Sequence, residues 1–419
     1  MPILNWRDRA VVIMGPSIRK SLHAIILTNP NGSHVCAANL IKDQTMSKFT
    51  FHGTSADEII KVSANGQDVV LTSDTGSVLA NVSGVDNVMI NGISGDDTID
   101  ASALPAGLTQ LTIDGGSGND TIVGSQGADL LIGGSGNDVI TGGKGADLAL
   151  LGSGDDVFIW NPGDGSDVVD GGSGFDTLDF RGANIVENVT ISANGSHATF
   201  FRDVANVTMD LDSVERIQFE SLGGADNIVV NDLTGTGVKQ VAIDLAGALG
   251  GGAGDGAADT VTVNGTGGND QINVTASGTL VTVSGLPDQV TIDHAEGGSL
   301  GDHLVIKGGA GNDTINASAL PAGTINLTLD GDAGNDTFVF NFGSNGHDLV
   351  QGFQAHGASS QGDLVALMGS SDHTFAQAVA DGHIAQSGAD VVISDGANVV
   401  ATLQGISLAS LHANDFLFS

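Results

Sequence analysis

From Gly115 the chain reads GGSGNDTIV, GSQGADLLI, GGSGNDVIT, GGKGADLAL and LGSGDDVFI, five consecutive units of nine residues. The sixth position of each is an aspartate: Asp120, Asp129, Asp138, Asp147 and Asp156. The eighth is apolar: Ile122, Leu131, Ile140, Ala149 and Phe158. After a slip of two residues, two further units bring Asp167 and Asp176. These residue types at this spacing suit a hard divalent cation. Calcium takes roughly six to eight oxygen ligands from carboxylates and backbone carbonyls. Glycine lets the backbone turn through positive φ and aim several carbonyls inward without a side-chain clash. One aspartate per loop then adds charge, and the residues after it extend into a short strand whose apolar eighth position points inward. The candidate ligands are therefore these seven aspartates, in loops shaped by Gly115, Gly118, Gly133, Gly136, Gly142 and Gly145. Asp97, Asp313 and Asp336 lie in similar loops without a neighbour at nine residues. The competing explanation, a metal-free β-helix in which aspartate merely favours turns, is preferred for isolated units such as Asp68, Asp86 and Asp226.

The elements that position these loops repeat on a larger scale. Residues 95–123 recur without a gap at 311–339, about two-thirds of positions being identical. Upstream, HGTSADEIIKV at 52–62 matches NGTGGNDQINV at 264–274. Between the dense arrays, 187–221 and 260–294 alternate apolar and polar residues in short runs, which read as strands joined by Gly, Asn and Asp turns. A solenoid running under the whole duplicated module accounts for this. The division expected is 1–45, an extension that is misassigned or disordered, with Met46 the natural start; 46–114, a first solenoid segment; 115–179, the calcium-binding roll; 180–310, a degenerate solenoid; 311–340, a second repeat segment; and 341–419, a C-terminal cap. Helical periodicity is confined to HTFAQAVADG, where Phe375, Ala378 and Val379 share a face.

The pattern of these units resembles the RTX, or haemolysin-type, calcium-binding repeat family, Gly-Gly-x-Gly-x-Asp-x-apolar-x. That resemblance implies an all-β fold, a right-handed parallel β-roll or β-helix solenoid with a small C-terminal β-rich cap. It implies that two repeats make one coil, with Ca²⁺ between loops of neighbouring coils. Same-side partners would then be Asp120, Asp138 and Asp156, and Asp129 with Asp147. Gly124-Ser125 and Leu151-Gly152 each lack one glycine of the leading pair, and the register beyond Asp156 is open. The ending Asp415-Phe416-Leu417-Phe418-Ser419 resembles the uncleaved signal of RTX proteins exported by type I secretion, and equally suits a final strand capping the solenoid. Localisation outside the cell and the type I secretion apparatus as a partner are implied by that likeness.

Composition sets the remaining bounds. There are 49 Asp and Glu against 13 Lys and Arg, a formal net charge of −36. Such a chain lacks the basic face that nucleic-acid binding needs. Its carboxylates repel one another in a compact fold unless something neutralises them. Residues 1–45 are the exception, with five basic residues against Asp8 and Asp43, and they hold the single Cys36. One cysteine permits no intramolecular disulfide. The apolar runs near Val11–Met14 and Ala24–Leu27 are too short to span a membrane. No His-Glu-x-x-His motif occurs and no Gly-x-Ser-x-Gly elbow opens a helix, and the close histidine pair His294 and His303 reads as surface residues. The expectation is a non-enzymatic protein with a structural, adhesive or matrix role, cell-surface glycans or other cells being its external partners. The rival is a polysaccharide-acting lyase or epimerase using Arg202, Asp203, Glu215 and Arg216, which surface ion pairing explains more cheaply.

Overall fold

The computed structural model describes residues 11–12, 22–28, 35–42, 47–298, 301–343, 346–356 and 361–419. The chain divides into two compact units, Met1–Phe180 with Thr208–Glu215, and Arg181–Val207 with Arg216–Ser419. Both are built almost wholly from short strands, in mainly parallel pairings broken by antiparallel excursions. Val- and Ile-rich runs of three to eight residues, mostly ended by glycine or Asn/Asp turns, favour strands over helices through the repeat region.

In the first unit the chain alternates between two parallel sheets. One sheet takes Ser47–His52, Asn87–Asn91, Gln110–Ser117, Asp129–Ser135, Leu148–Ser153 and Val168–Ser173. The other takes Ile59–Asn65, Thr98–Ala103, Thr121–Val123, Val139–Thr141 and Val157–Trp160, continuing into the strand that begins at Thr177. Within the array the register step is one coil of two repeats: Leu131 pairs with Ile113 and with Ala149, and Ile140 with Ile122 and with Phe158. The eighth-position residues are completely buried, so two columns fill the core: Ile113, Leu131, Ala149 and Val169, and Ile122, Ile140, Phe158 and Leu178. The two-residue slip after Asp156 does not break the register. Leu148 pairs with Val168 and Val157 with Thr177, twenty apart instead of eighteen. The surplus residues sit in a turn where the Asn161 and Asp164 backbones and side chains bond each other. Trp160 roofs it, stacking on Phe180 at 4.1 Å and donating Nε1–H to the Gly165 carbonyl.

Before Ser47, Leu22–Thr28 pairs antiparallel with Val35–Lys42, which pairs antiparallel with Ser47–His52. The rest of 1–46, apart from Val11–Val12, lies outside the described residues.

The second unit repeats the scheme with longer excursions. Asn227–Val230, Thr260–Asn264, His303–Lys307, Asn326–Asp330 and Asp348–Gln351 form one parallel run. Gln271–Ser277, Thr314–Ala319, Thr337–Asn341, Leu364–Met368 and Phe416–Phe418 form another. The duplication seen in the sequence is a structural one. Ile59–Asn65, Asp68–Ser73 and Val78–Ser83 make an antiparallel meander in the first unit, and Gln271–Ser277, Leu280–Ser284 and Gln289–Asp293 make its counterpart in the second. The expected helix is Phe375–Asp381, capped by Thr374, whose side chain accepts from the Gln377 N–H, and ended by Gly382 at φ 80°. Only Ala378 of its apolar residues is buried. Phe375 stacks instead on Phe416 of the last strand at 5.1 Å. That strand closes the edge of Leu364–Met368, as capping requires.

Candidate metal centre

Each sixth-position aspartate begins where a loop gives way to a strand, with its side chain turned under its own loop. Asp97, Asp120, Asp129, Asp138, Asp147, Asp156, Asp167, Asp176, Asp313 and Asp336 are all buried. Burying a carboxylate is costly unless it is paired, and the pairing found is a ladder along the solenoid. The N–H of each acid donates to one carboxylate oxygen of the acid in the next coil: Asp97 to Asp120, Asp120 to Asp138, Asp138 to Asp156 and Asp156 to Asp176, at 2.7–2.9 Å. The opposite loops repeat this from Asp129 to Asp147 and from Asp147 to Asp167. The array therefore brings together the same-side partners expected from the repeat spacing.

The ladders extend past the residues that spacing had singled out. Glu58 donates to Asp97 at one end, and Asp176 to Glu215 at the other. In the second unit, one ladder runs Glu187, Asp226, Asp259, Asp302. A second runs Asp270, Asp313, Asp336, Asp363. Asp226, assigned from sequence to an ordinary turn, is thus a buried ladder member, whereas Asp86 is exposed and bonds Ser47. A parallel outer row uses the fifth position: Asn119 N–H donates to Asp96, Asn137 to Asn119, and Asp155 to Asn137. The alternation of Asn-Asp with Ala-Asp units every second repeat is its sequence signal.

What the ladder leaves over is a second oxygen. Oδ2 of Asp97, Asp120, Asp138, Asp147, Asp156, Asp167, Asp176, Asp226, Asp313 and Asp336 is buried with no hydrogen-bond partner. Oδ2 of Asp120 lies where a Cβ on Gly115 would collide with it, and that same Cβ would press on the Gly133 carbonyl of the next coil. Gly133 stands in the same relation to Asp138 and the Leu151 carbonyl, and Gly308 to Asp313 and the Gly331 carbonyl. Gly142 likewise covers Asp147. Gly118, Gly136 and Gly145 have φ of 125°, 123° and 129°, and a Cβ on any of them would strike a carbonyl of the preceding coil. Each of these ten loops thus holds an unsatisfied anionic oxygen. Where Gly115, Gly133 and Gly308 stand, it lies beside main-chain carbonyls, a donor set of the hard-oxygen kind that calcium takes. Among the described residues no three His, Cys, Asp or Glu side chains converge as a ligand cluster. A cation here would be held by one carboxylate per coil together with carbonyls.

The electrostatics agree. Burial pushes Asp147 up to about 8, its neighbours Asp167, Asp129 and Asp164 adding to the rise and the Asp129 N–H opposing it. Burial likewise takes Asp97, Asp167 and Asp176 to about 7, and Asp138 and Asp336 to about 6. These rows therefore favour a positive charge, whether a proton or a metal ion.

The residues of the enzymatic rival are placed differently. Arg202 is not a surface residue: it ends the strand His197–Arg202 in the inward register, is 3% exposed, and its guanidinium binds the buried Glu187 carboxylate. Asp203 is exposed and accepts from the backbone and side chain of Asn188. Glu215 closes the first ladder. His303 is exposed, and His294 binds Asp244 at 2.6 Å.

A parallel β-solenoid with a buried carboxylate on each loop defines a class of cation-binding rolls. Residues 114–149, 123–158, 163–179, 305–319 and 328–346 match the RTX calcium-binding nonapeptide repeat. These segments of the chain carry that repeat, and calcium is the ion such repeats bind. No curated protein matches it. Among solved structures, the extracellular lipase LipA from Serratia marcescens is similar at 18% identity and a TM-score of 0.19, over 78% of this chain and 45% of the lipase. The chain spans less than half the length of that lipase. No described helix is long and apolar enough to cross a membrane.

Proposed function

We propose that the chain is a secreted calcium-binding protein whose coils fold when they meet extracellular calcium, with a structural, adhesive or matrix role rather than a catalytic one. The observation that carries this reading is the set of buried Oδ2 atoms without partners, stacked coil upon coil. The ligands proposed are Asp97, Asp120, Asp138, Asp147, Asp156, Asp167, Asp176, Asp313 and Asp336, with carbonyls of the glycine loops; Asp129, expected from the same spacing, has both carboxylate oxygens bound by Ser125. Where calcium is scarce, the net charge of −36 and these desolvated carboxylates oppose folding. Calcium bound to the folded form adds RT ln(1 + [L]/Kd) per site. Type I export of an unfolded chain is consistent with this order of events, as is the likeness of Asp415–Ser419 to such a signal. The proposed division keeps 46–114, 115–179, 180–310 and 311–340 as solenoid segments and 341–419 as cap and signal. The pairing of Arg202 with Glu187 gives the best catalytic candidate a structural role.

Calcium titration of chelated protein, following circular dichroism and bound metal together, tests the reading. Several ions per chain and a calcium-driven gain of β-structure are expected. An unchanged spectrum in chelator, or a stoichiometry near zero, overturns it.

A further inference from the structure

The four ladders do not begin as they continue. Their first acids, Glu58, Asp129, Glu187 and Asp270, have both carboxylate oxygens bound by the protein itself. Ser125 donates its N–H and its hydroxyl to the two oxygens of Asp129, at 2.5 and 2.9 Å. Thr266 does the same for Asp270, at 2.7 and 2.9 Å. Thr54 does so for Glu58, with its N–H at 3.1 Å and its hydroxyl on the other oxygen. At Glu187 the N–H comes from Ala183, and the Arg202 guanidinium takes the place of the hydroxyl.

One backbone feature separates these loops from the open ones. The capping N–H belongs to the residue four before the acid. In the open loops that position has positive φ: Gly116 before Asp120, Gly134 before Asp138, Gly143 before Asp147, and even the non-glycine residues Ile93, Leu222 and Asp332 before Asp97, Asp226 and Asp336. Thr54, Ser125, Ala183 and Thr266 are not among the positive-φ residues. With φ outside the positive region their N–H reaches the acid, and where φ is positive the acid's second oxygen has no partner. The surroundings are otherwise alike. A Cβ on Gly124 would meet both Asp129 Oδ2 and the next coil's Gly142 carbonyl, as Gly115 meets Asp120 and Gly133. Gly265 meets Asp270 and the Gly308 carbonyl. The internal duplication carries the device with it, since Thr54 and Glu58 align with Thr266 and Asp270.

Resting on the calcium-binding reading, we infer that Thr54, Ser125, Thr266 and the Ala183–Arg202 pair close the first loop of each ladder to calcium, whereas at the last acids of the second unit, Asp302 and Asp363, the N–H groups of Glu296 and Gln354 take the second oxygen. The first coils are thereby complete without metal, and each gives the following coil a finished edge on which to add. Asp129, though within the regular array, is then not a calcium ligand in the native protein.

The test compares bound calcium per chain, by elemental analysis at saturating calcium, in the full-length protein and in Ser125→Gly, Thr266→Gly and Ser125→Ala. Each glycine variant frees the backbone at its loop and is expected to gain one ion. Ser125→Ala removes the hydroxyl but keeps a side chain that disfavours positive φ and keeps the N–H, and is expected to gain none. Unchanged stoichiometry in both glycine variants, with several ions on the parent, overturns the inference alone. A parent that binds no calcium overturns the calcium reading itself. Anomalous diffraction from calcium-loaded crystals of the parent tests the same point without substitutions. Ions are expected beside Asp120 and Asp138, and an ion on Asp129 or Asp270 overturns the inference.

Discussion

Replacing Asp138 by asparagine should change stability in opposite directions with and without calcium. Asp138 sits in mid-ladder: its Oδ1 accepts the Asp120 N–H at 2.7 Å, its own N–H donates to Asp156, and its Oδ2 is buried without a partner. An amide keeps the accepting oxygen but puts an N–H₂ donor where Oδ2 was. With a cation between coils, both the gap above and the gap below would lose a ligand. At an extracellular-type Kd of about 10⁻⁴ to 10⁻³ M, about 10 mM calcium contributes roughly 1.4–2.7 kcal/mol per site. Two sites are then worth about 3–5 kcal/mol, and at about 2–4 °C per kcal/mol for a unit of this size the Tm falls by roughly 6–20 °C. In chelator the sign reverses, because the substitution removes a charge that burial and the neighbouring Asp156 and Asp120 disfavour, as the rise of Asp138 to about 6 shows. Paired melts of D138N and parent by circular dichroism, in calcium and in chelator, read both signs. An equal loss in both conditions would mean that Asp138 is only a hydrogen-bonding turn residue, and would refute the reasoning.

Three further outcomes follow from the same geometry. The metal-free protein should gain stability on acidification from about pH 8 to pH 5, since Asp97, Asp147, Asp167 and Asp176 are raised to between about 7 and about 8 from 3.8. The destabilising ionisation is complete above those values and absent below the unfolded one; melts in chelator across that range check it, and a fall in Tm on acidification counts against it. Phe158→Ala empties a fully buried site and should cost about 3–5 kcal/mol with or without calcium, so that denaturant titrations separate the core's contribution from the ladder's. Arg202→Met leaves Glu187 buried without its cation and should cost about 3–5 kcal/mol, most of it recovered in the Arg202→Met/Glu187→Gln double variant; a double variant no more stable than the single would remove the ion pair from the account.

The roll was legible wherever nine-residue spacing survives. Between Asp120 and Asp156 the sequence step and the structural coil coincide, so the same-side aspartates could be paired from counting alone. Outside it they could not. Glu58 and Asp97 are adjacent in the ladder but 39 residues apart, because the meander through Asp68–Ser73 and Val78–Ser83 intervenes. Asp226, Asp259 and Asp302 are separated by 33 and 43 residues for similar reasons. Their loops also lose the glycine signature, Leu222 supplying the positive φ that glycine supplies in the array. Arg202 was misjudged because a charge in an alternating strand reads as solvent-facing. Yet His197, Thr199 and Phe201 are the partly exposed residues of that strand, and Ala198, Phe200 and Arg202 point inward. Its partner, Glu187, lies on the preceding excursion and carries no local signal.

The two side-chain rows along the loops separate a calcium roll from a metal-free solenoid of the same shape. Each row has the same mechanical task, to accept one N–H from a neighbouring coil, and an amide oxygen performs it as well as a carboxylate. At the fifth position, where the row is exposed, the chain uses both: Asp96 and Asp155, but also Asn119, Asn137, Asn269, Asn312 and Asn335. At the sixth position, buried and electrostatically the more costly place for a charge, every ladder member is Asp or Glu and none is Asn. Turn propensity does not produce that contrast, since asparagine serves turns as readily as aspartate. Nor does ladder bonding, which uses only one of the two oxygens. In the open loops the second oxygen is what the buried position keeps an acid for, and a desolvated anionic oxygen beside main-chain carbonyls is of use to the fold once a cation lies against it.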